Sequence, residues 1–181
     1  DLTIAPSFKT ASQKFEFFAQ SLRKGKFRKW NDRLFVANYF PLESSGDKKE
    51  FPYLLIPYEI MELTNAQVAN PPFLTKLLDD TLLKGKDIFV QMNPATARQA
   101  RVREGAKVTL ATPVGKGKVR VHISEEVAPG VIAMAAGLGH SAFDEYIKGK
   151  GINTNVLTEV QLDPVTGIGT WWATRAKLIK V

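Results

Sequence analysis

Short apolar stretches separated by turn residues run through most of the chain and predict a series of β-strands. The stretch 53–60 is a continuous apolar run that contains Pro57, which predicts a buried strand that bulges or ends near the proline. In 118–123 the alternation is strict, with valine and isoleucine on one face and polar residues on the other. Six or so short strands with only brief helices between them favour a mainly β (α+β) barrel over a doubly wound sheet. The other predicted strands are 87–93, 107–112, 131–136 and 170–181.

Two helices are predicted between these strands. Pro71 and Pro72 precede apolar residues at helical spacing, and Gly85 follows the last of them, which predicts a helix across 72–84. A shorter helix is predicted directly after the strand 87–93, at 94–102.

Three further predictions concern a turn and aromatic residues. The strands 107–112 and 118–123 form a predicted hairpin in which Gly115 and Gly117 supply positive-φ positions. Apolar and polar residues alternate loosely over 14–22, which is typical of a strand. Trp171 and Trp172 point to opposite faces if they lie on a strand, so one of them is expected in the core.

The first fifty residues differ in composition from the rest. The stretch 23–33 has six Lys or Arg in eleven positions, interleaved with Phe27 and Trp30. Such a stretch can follow a nucleic-acid backbone, but it is more typical of a solvated or inter-domain face. The chain begins at Asp1 with neither an initiator methionine nor a signal sequence, which indicates a processed chain or a piece of a larger one. We therefore expect an N-terminal arm or linker at 1–50, from the preceding part of a larger chain, and a compact domain at 51–181.

The composition excludes several kinds of site. The 181 residues contain no cysteine, which excludes disulfides, thiolate-bound zinc and thiolate-bound iron–sulfur clusters within this chain. The formal net charge of +7 favours anionic partners. Residues 127–143 form the longest run without a charge, but proline and glycine interrupt it, so no direct membrane insertion is expected.

The patterns of a self-sufficient enzyme are missing from the sequence. His122 and His140 lie in unrelated contexts, and there is no metalloprotease, hydrolase, Walker or Rossmann motif. The sequence therefore predicts no catalytic residue and no metal ligand.

Four polar segments offer sites for a ligand. The first opens a helix, where Asn93 is a good N-cap and Pro94 suits the first helical position, so the free amides of the first turn suit an anion. The segments 137–141 and 149–158 combine glycines with polar side chains, and the fourth segment follows the strand 53–60. Each also has a structural reading as a helix cap, an ordinary loop or a turn. The candidate residues are Asn93, Pro94, Gly139, His140, Ser141, Asn153, Asn155, Thr64, Asn65 and Asn70.

In their order along the chain, these segments resemble the C-terminal dinucleotide-binding domain of the molybdopterin oxidoreductases, the dimethyl-sulfoxide-reductase family. The upstream segments 8–18 and 56–74 are similar to the approach to this domain and to its opening strand. The pieces GLGH and GINTN suggest the branch with thiosulfate and polysulfide reductases. Residues 101–106 and 10–14 depart from the usual family pattern, at positions that we interpret as structural turns. The clearest matches are MNPATA (92–97), EEVAPGVIAMAAGLGH (125–140), KGKGINTNVLTEVQLDP (148–164) and WATRAKLIKV (172–181).

The resemblance implies a six-stranded double-psi β-barrel that clamps bis-molybdopterin guanine dinucleotide, with Asn155 as the first choice for fixing the pterin or nucleotide heterocycle. It implies a molybdenum or tungsten cofactor in the full-length protein that the isolated, inactive fragment does not retain. The metal ligand and iron–sulfur parts would belong to preceding domains of the same chain. Iron–sulfur and membrane-anchor subunits would be partners, nucleic acid would not, and the parent would be periplasmic and membrane-associated or cytoplasmic in a prokaryote.

A second interpretation belongs to a different class of protein. A double-psi barrel can also act as an adaptor, or bind peptide or nucleic acid without a cofactor. The two interpretations differ in one structural requirement, because only the clamp needs the four polar segments to converge on one concave surface, and scattering of them over opposite faces would rule it out.

Overall fold

The chain divides into two compact units, Asp1–Leu42 and Glu43–Val181, and the strands found in the described residues belong to the second. The structure is a computed structural model that describes residues 8–24, 32–37, 43–66, 72–142, 145–163 and 167–180. Within these ranges the strands are β1 (Tyr53–Tyr58), β2 (Leu83–Lys84), β3 (Asp87–Met92), β4 (Lys107–Ala111), β5 (Lys116–Ile123), β6 (Val131–Ala135) and β7 (Thr174–Lys180).

Six of the strands in the described ranges close into a barrel in the order β3-β5-β4-β7-β1-β6, and pairing of β6 with β3 completes the ring. The pairs β1–β6 and β3–β5 are parallel, and the other pairs of the ring are antiparallel. Strand β2 only extends β3 as a short hairpin. This arrangement confirms the predicted fold class, a mainly β domain with short helices built on a six-stranded barrel.

Alternate strand residues fill the barrel. Residues of β1 alternate between buried and half-buried, as the period of two for a strand requires. Pro57 is tolerated in β1 because the pairing of β1 with β7 stops at Leu55. Burial of each large apolar side chain contributes about 1.5–3 kcal/mol. The fully buried side chains include Leu55, Ile88, Val90, Met92, Leu110, Val121, Ile132 and Met134.

The helix predicted across 72–84 is wrong in its extent. Helix α2 covers only Pro72–Lys76, and β2 follows within the same predicted segment. The Asp79 carboxylate accepts a hydrogen bond from the Thr81 amide at 2.7 Å, a local turn that competes with helix continuation. Gly85, at φ +63°, lies in the two-residue turn between β2 and β3 and does not cap a helix.

Three smaller predictions were also wrong. Residues 14–22 do not form a strand, because helix α1 (Gln20–Lys24) begins within them. Gly115 lies in the turn between β4 and β5, and Gly117 lies in β5. Neither has a positive φ. Trp171 and Trp172 lie in a turn before β7, where their rings meet edge to face with centroids 4.6 Å apart.

The first unit contributes little regular structure within its described residues. Helix α1 is followed by a 3-10 helix, Asp32–Phe35, and Phe18 pairs with Val36 in a single bridge. Most of the basic stretch 23–33 lies outside the described residues. Across the ranges that the structure describes, each helix is too short or too polar to cross a bilayer.

Candidate functional site

Two loops at one end of the barrel are held in close contact. We call residues 137–141 the glycine loop and residues 152–157 the asparagine loop. Gly139 has φ +85°, and a Cβ placed on it would lie 1.9 Å from the backbone nitrogen of Asn153. Its own amide donates to the Lys150 carbonyl at 2.8 Å, and the His140 carbonyl accepts from the Gly149 amide at 2.8 Å. The absence of a side chain at Gly139 therefore allows the two loops to meet.

The other side of the asparagine loop rests on the turn between β4 and β5. A Cβ on Gly115 would lie 2.1 Å from the Val156 carbonyl oxygen, and one on Gly117 would lie 2.4 Å from the Ile152 side chain. The backbone contact explains Gly115, which the sequence had suggested was needed for positive φ, whereas the Ile152 side chain beside Gly117 can move aside. Leu157 and Thr154 are buried, so they fix the loop to the body of the domain.

Asn153 stabilises the conformation of the asparagine loop through a local hydrogen bond. Its side-chain oxygen accepts a hydrogen bond from the Asn155 amide at 2.9 Å, which caps the 3-10 helix Thr154–Val156. The Asn155 side chain is exposed, and it makes no hydrogen bond with the described residues. Its amide therefore remains available as both donor and acceptor.

A third segment, the 3-10 helix Met61–Ala66, lies beside the glycine loop. A Cβ on Gly137, at φ +100°, would lie 3.0 Å from the Ala66 Cα and 3.2 Å from the Leu63 Cβ. Leu63 is fully buried and fixes this helix to the core. Thr64 and Ala66 both adopt positive φ, at 48° and 64°.

These three segments surround a cavity of about 500 Å³, which we call the large cavity. The glycine loop lines it along its whole length, and the asparagine loop and Ala66 complete the wall. No carboxylate occurs among the described residues that line it. The lining residues are Ala66, Ala136, Gly137, Leu138, Gly139, His140, Ser141, Ala142, Asn153, Thr154 and Asn155.

A second cavity of about 170 Å³, which we call the small cavity, adjoins the first at the end of β1. Ala66, Ala136, Thr154 and Asn155 line both cavities, so Asn155 lies at their junction. The residues that line only the small cavity are Pro57, Tyr58, Glu59, Thr158 and Trp171.

The structure brings together five of the ten residues that the sequence proposed for binding: Gly139, His140, Ser141, Asn153 and Asn155 all line the large cavity. Thr64 and Asn65 lie in the 3-10 helix whose last residue, Ala66, lines it. Asn70 lies outside the described residues.

Asn93 and Pro94 lie elsewhere, at the junction of β3 and helix α3 (Pro94–Ala100), and neither lines the two cavities. The Asn93 oxygen accepts from the Ala95 amide at 2.9 Å, and its nitrogen donates to the Val127 carbonyl at 3.0 Å. This bonding matches the helix-cap interpretation of Asn93. Because β3 is antiparallel to β6, Asn93 lies at the other end of the barrel from the glycine loop, so the first polar segment does not converge with the others.

The polar groups around the cavities differ in their partners. His140 Nε2 lies 3.1 Å from the Gly137 carbonyl oxygen and donates a hydrogen bond to it in the tautomer that carries the proton on Nε2. The Tyr58 hydroxyl is buried without a hydrogen-bond partner among the described residues. Burial, with a smaller contribution from the charge of Glu126, raises the pKa of Tyr58 to about 12. Glu59 is exposed and makes no ion pair with the described residues.

The sequence did not suggest the residues of the small cavity. Tyr58 and Glu59 were assigned only to a strand, and Trp171 was considered only as a core residue. The 54% exposure of Trp171 is a property of the folded chain that the sequence does not give. No cluster of potential metal ligands occurs in the part of the chain that the structure describes.

Comparisons with known proteins agree with this geometry. Residues 75–172, more than half of the chain, match the family model described as "Molydopterin dinucleotide binding domain". The menaquinone reductase molybdopterin-binding-like subunit of Nitratidesulfovibrio vulgaris is 38% identical over 71% of this chain and 19% of its own length. The molybdopterin-containing subunit ArrA of the arsenate respiratory reductase of Chrysiogenes arsenatis is 26% identical over 88% of this chain and 22% of its own length. The chain thus spans about a fifth of the length of these relatives.

Among solved structures, acetylene hydratase from Pelobacter acetylenicus matches 95% of this chain and 24% of its own, with a TM-score of 0.67. The sequence identity is 16%, so this likeness concerns the fold.

Proposed function

Because the chain belongs to the molybdopterin dinucleotide-binding family, we propose that it holds the dinucleotide form of this cofactor within a molybdopterin-dependent oxidoreductase. The observation that carries the proposal is the convergence of the glycine loop and the asparagine loop on the large cavity. The adaptor interpretation does not need this convergence. A concave site with a few convergent polar groups is typical of cofactor binding.

The donor set of the large cavity fits a phosphorylated heterocycle. The exposed Asn155 amide offers a donor and an acceptor, which pair with the edge of a nitrogen heterocycle. Gly139 leaves the backbone of the glycine loop open to close approach, and His140 and Ser141 are exposed beside it as polar groups. The lack of carboxylates among the described lining residues suits a pyrophosphate.

The chain's own part in the reaction is binding and orientation. When bound, the cofactor supplies the redox chemistry, which is a property of the cofactor itself. The asparagine loop is held from two sides by glycine contacts, so it presents Asn155 from a fixed backbone.

The finer proposals follow the sequence resemblance. We propose that the cofactor is bis-molybdopterin guanine dinucleotide with molybdenum or tungsten, and that the parent enzyme belongs to the thiosulfate and polysulfide reductase-like branch. The preceding domains carry the metal ligand, and iron–sulfur and membrane-anchor subunits complete a prokaryotic complex. The isolated domain is inactive and holds the cofactor weakly, because the other half of the clamp lies in the remainder of the parent.

The proposal is tested by titrating the ¹⁵N-labelled chain with GDP and with oxidised, fluorescent molybdopterin guanine dinucleotide at millimolar concentration. We expect amide shifts concentrated at Gly139, Ser141 and Asn155. We expect Asn155→Ala to weaken the binding of both probes by about tenfold, the value of a good side-chain pair to a heterocycle edge.

The matched control is Gln99→Ala, which removes an exposed amide side chain on helix α3. This variant should bind both probes like the wild type. Shifts that cluster away from the two loops, or no shifts at saturating probe, would contradict the proposed function.

A further inference from the structure

The small cavity differs in chemistry from the large one. Trp171 and Tyr58 provide aromatic side chains, and Pro57 adds an apolar surface. Glu59 is the one carboxylate among the described residues that line either cavity. A ligand that occupies both cavities therefore meets backbone, amide and hydroxyl groups in one cavity, and aromatic surface with a carboxylate in the other.

Trp171 lines the small cavity and is available to a planar ring there. The residue remains 54% exposed although its ring packs edge to face against Trp172. This contact orients Trp171 before any ligand arrives, so little side-chain freedom is lost on binding. Stacking of a base on an exposed aromatic ring contributes about 1–3 kcal/mol.

Glu59 limits which ring edge the cavity can accept. A carboxylate only accepts hydrogen bonds, so it pairs best with two adjacent N–H donors. A 2-amino-4-oxopyrimidine ring has this pair, a ring N–H beside an exocyclic amino group, and both guanine and pterin contain it. The corresponding adenine edge places a ring acceptor against the carboxylate, which is repulsive.

We propose that the small cavity binds a 2-amino-4-oxopyrimidine ring, with Trp171 on its face and Glu59 accepting from its two N–H groups. This inference rests on the proposed function and adds the specificity residues for the ring. Asn155 lies at the junction of the two cavities, so the same ligand extends past it. Its anionic tail lies in the large cavity, away from the Glu59 charge.

The test compares the dissociation constants of GDP, ADP and 6-hydroxymethylpterin for the 181-residue chain, measured by NMR titration. We expect the chain to bind GDP at least about tenfold more tightly than ADP. Glu59→Gln should weaken GDP by about tenfold and bind ADP more tightly than the wild type does, because the repulsion of the adenine ring acceptor is removed, so the preference is lost. Trp171→Ala should weaken GDP and ADP by a similar factor, about tenfold, because stacking does not depend on the ring edge.

The pterin distinguishes the two sources of the ring. If the pterin binds with the same Glu59 dependence and GDP does not, the cavity holds the pterin end of the cofactor; the reverse result assigns the guanine end. Glu125→Gln, an exposed carboxylate outside both cavities, is the matched control and should change none of the constants.

The inference is overturned if Glu59→Gln leaves the GDP, ADP and pterin constants unchanged while Asn155→Ala still weakens binding. That result would retain the proposed function and remove Glu59 as a specificity residue. If no probe shifts the Gly139 and Asn155 amides, both the proposed function and the inference fail.

Discussion

The backbone of Asn153 lies so close to Gly139 that a Cβ on the glycine would stand 1.9 Å from the Asn153 nitrogen. This contact joins the glycine loop to the asparagine loop, and five candidate residues line one cavity as a result. The asparagine side chains are therefore positioned by a residue that has no side chain. Substitution at Gly139 should consequently affect both stability and the site.

Gly139→Ala should destabilise the chain by about 2–4 kcal/mol, because overpacking adds to the strain of a positive φ. Denaturant unfolding followed by circular dichroism measures this cost. Gly149→Ala is the matched control, since Gly149 has φ +70° but a Cβ placed on it would have no atom within 4 Å. It should cost only the backbone strain, about 1 kcal/mol. Equal costs for the two variants would show that the loop contact is unimportant.

Asn93→Ala should cost about 1–2 kcal/mol of stability and leave GDP binding unchanged. The substitution removes the cap of helix α3 and the bond to the Val127 carbonyl. Asn93→Asp keeps the capping oxygen and should recover part of the loss. Unfolding curves and the GDP titration separate the two effects. Loss of GDP binding by a folded Asn93→Ala variant would show that Asn93 takes part in binding the ligand.

The barrel could be predicted from the sequence because its strands carry their own signals. The alternation in β5 and the apolar runs of β1, β3 and β6 depend on neighbouring residues along the chain. The helix across 72–84 was overpredicted because its leucines have helical spacing. A turn at Asp79 and the pairing of β2 with β3 across a two-residue turn end the helix after Lys76.

The site could be predicted only in part. Asn155 and the glycine loop were recognisable from residue type, since an asparagine amide both donates and accepts hydrogen bonds and glycine lets the backbone approach a ligand closely. Glu59 and Trp171 were not recognisable, because 112 positions separate them and only the closure of the barrel brings them to one cavity. Gly115 was noticed for the wrong reason, since its function is contact with Val156.

Tyr58→Phe should leave the chain as stable as the wild type at pH 7, or more stable by up to about 1 kcal/mol. The substitution removes a buried hydroxyl that has no partner among the described residues. Loss of more than this amount would show that the hydroxyl makes a stabilising bond. Urea unfolding at pH 7 measures the difference.

The same variant should also change the alkaline stability. The folded pKa of Tyr58 is about 12, above the ordinary value of about 10. The contribution of the neutral phenol is complete below pH 10 and is lost as the pH rises through the folded pKa. The wild type should therefore lose stability relative to Tyr58→Phe across this window.

Asp87 should stabilise the fold at neutral pH and lose that contribution in acid. The Arg120 guanidinium, with its Nε 2.8 Å from Asp87 Oδ2, and the Lys107 ammonium at 3.2 Å lower the pKa of Asp87. A lowered folded pKa means that the contribution is present above the unfolded pKa of about 3.9 and disappears as the pH falls through the folded value. Because the Asp87 side chain is 39% exposed, solvent screening limits the effect to about 1 kcal/mol or less. Asp87→Asn should thus be less stable than the wild type at pH 7 and equally stable at pH 2 in urea unfolding.

The control is Asp80→Asn. The partner of Asp80, Lys84, lies 3.5 Å away and is exposed, so this variant should be as stable as the wild type at either pH. A deficit in the stability of Asp87→Asn that is the same at both pH values would contradict the ion-pair explanation.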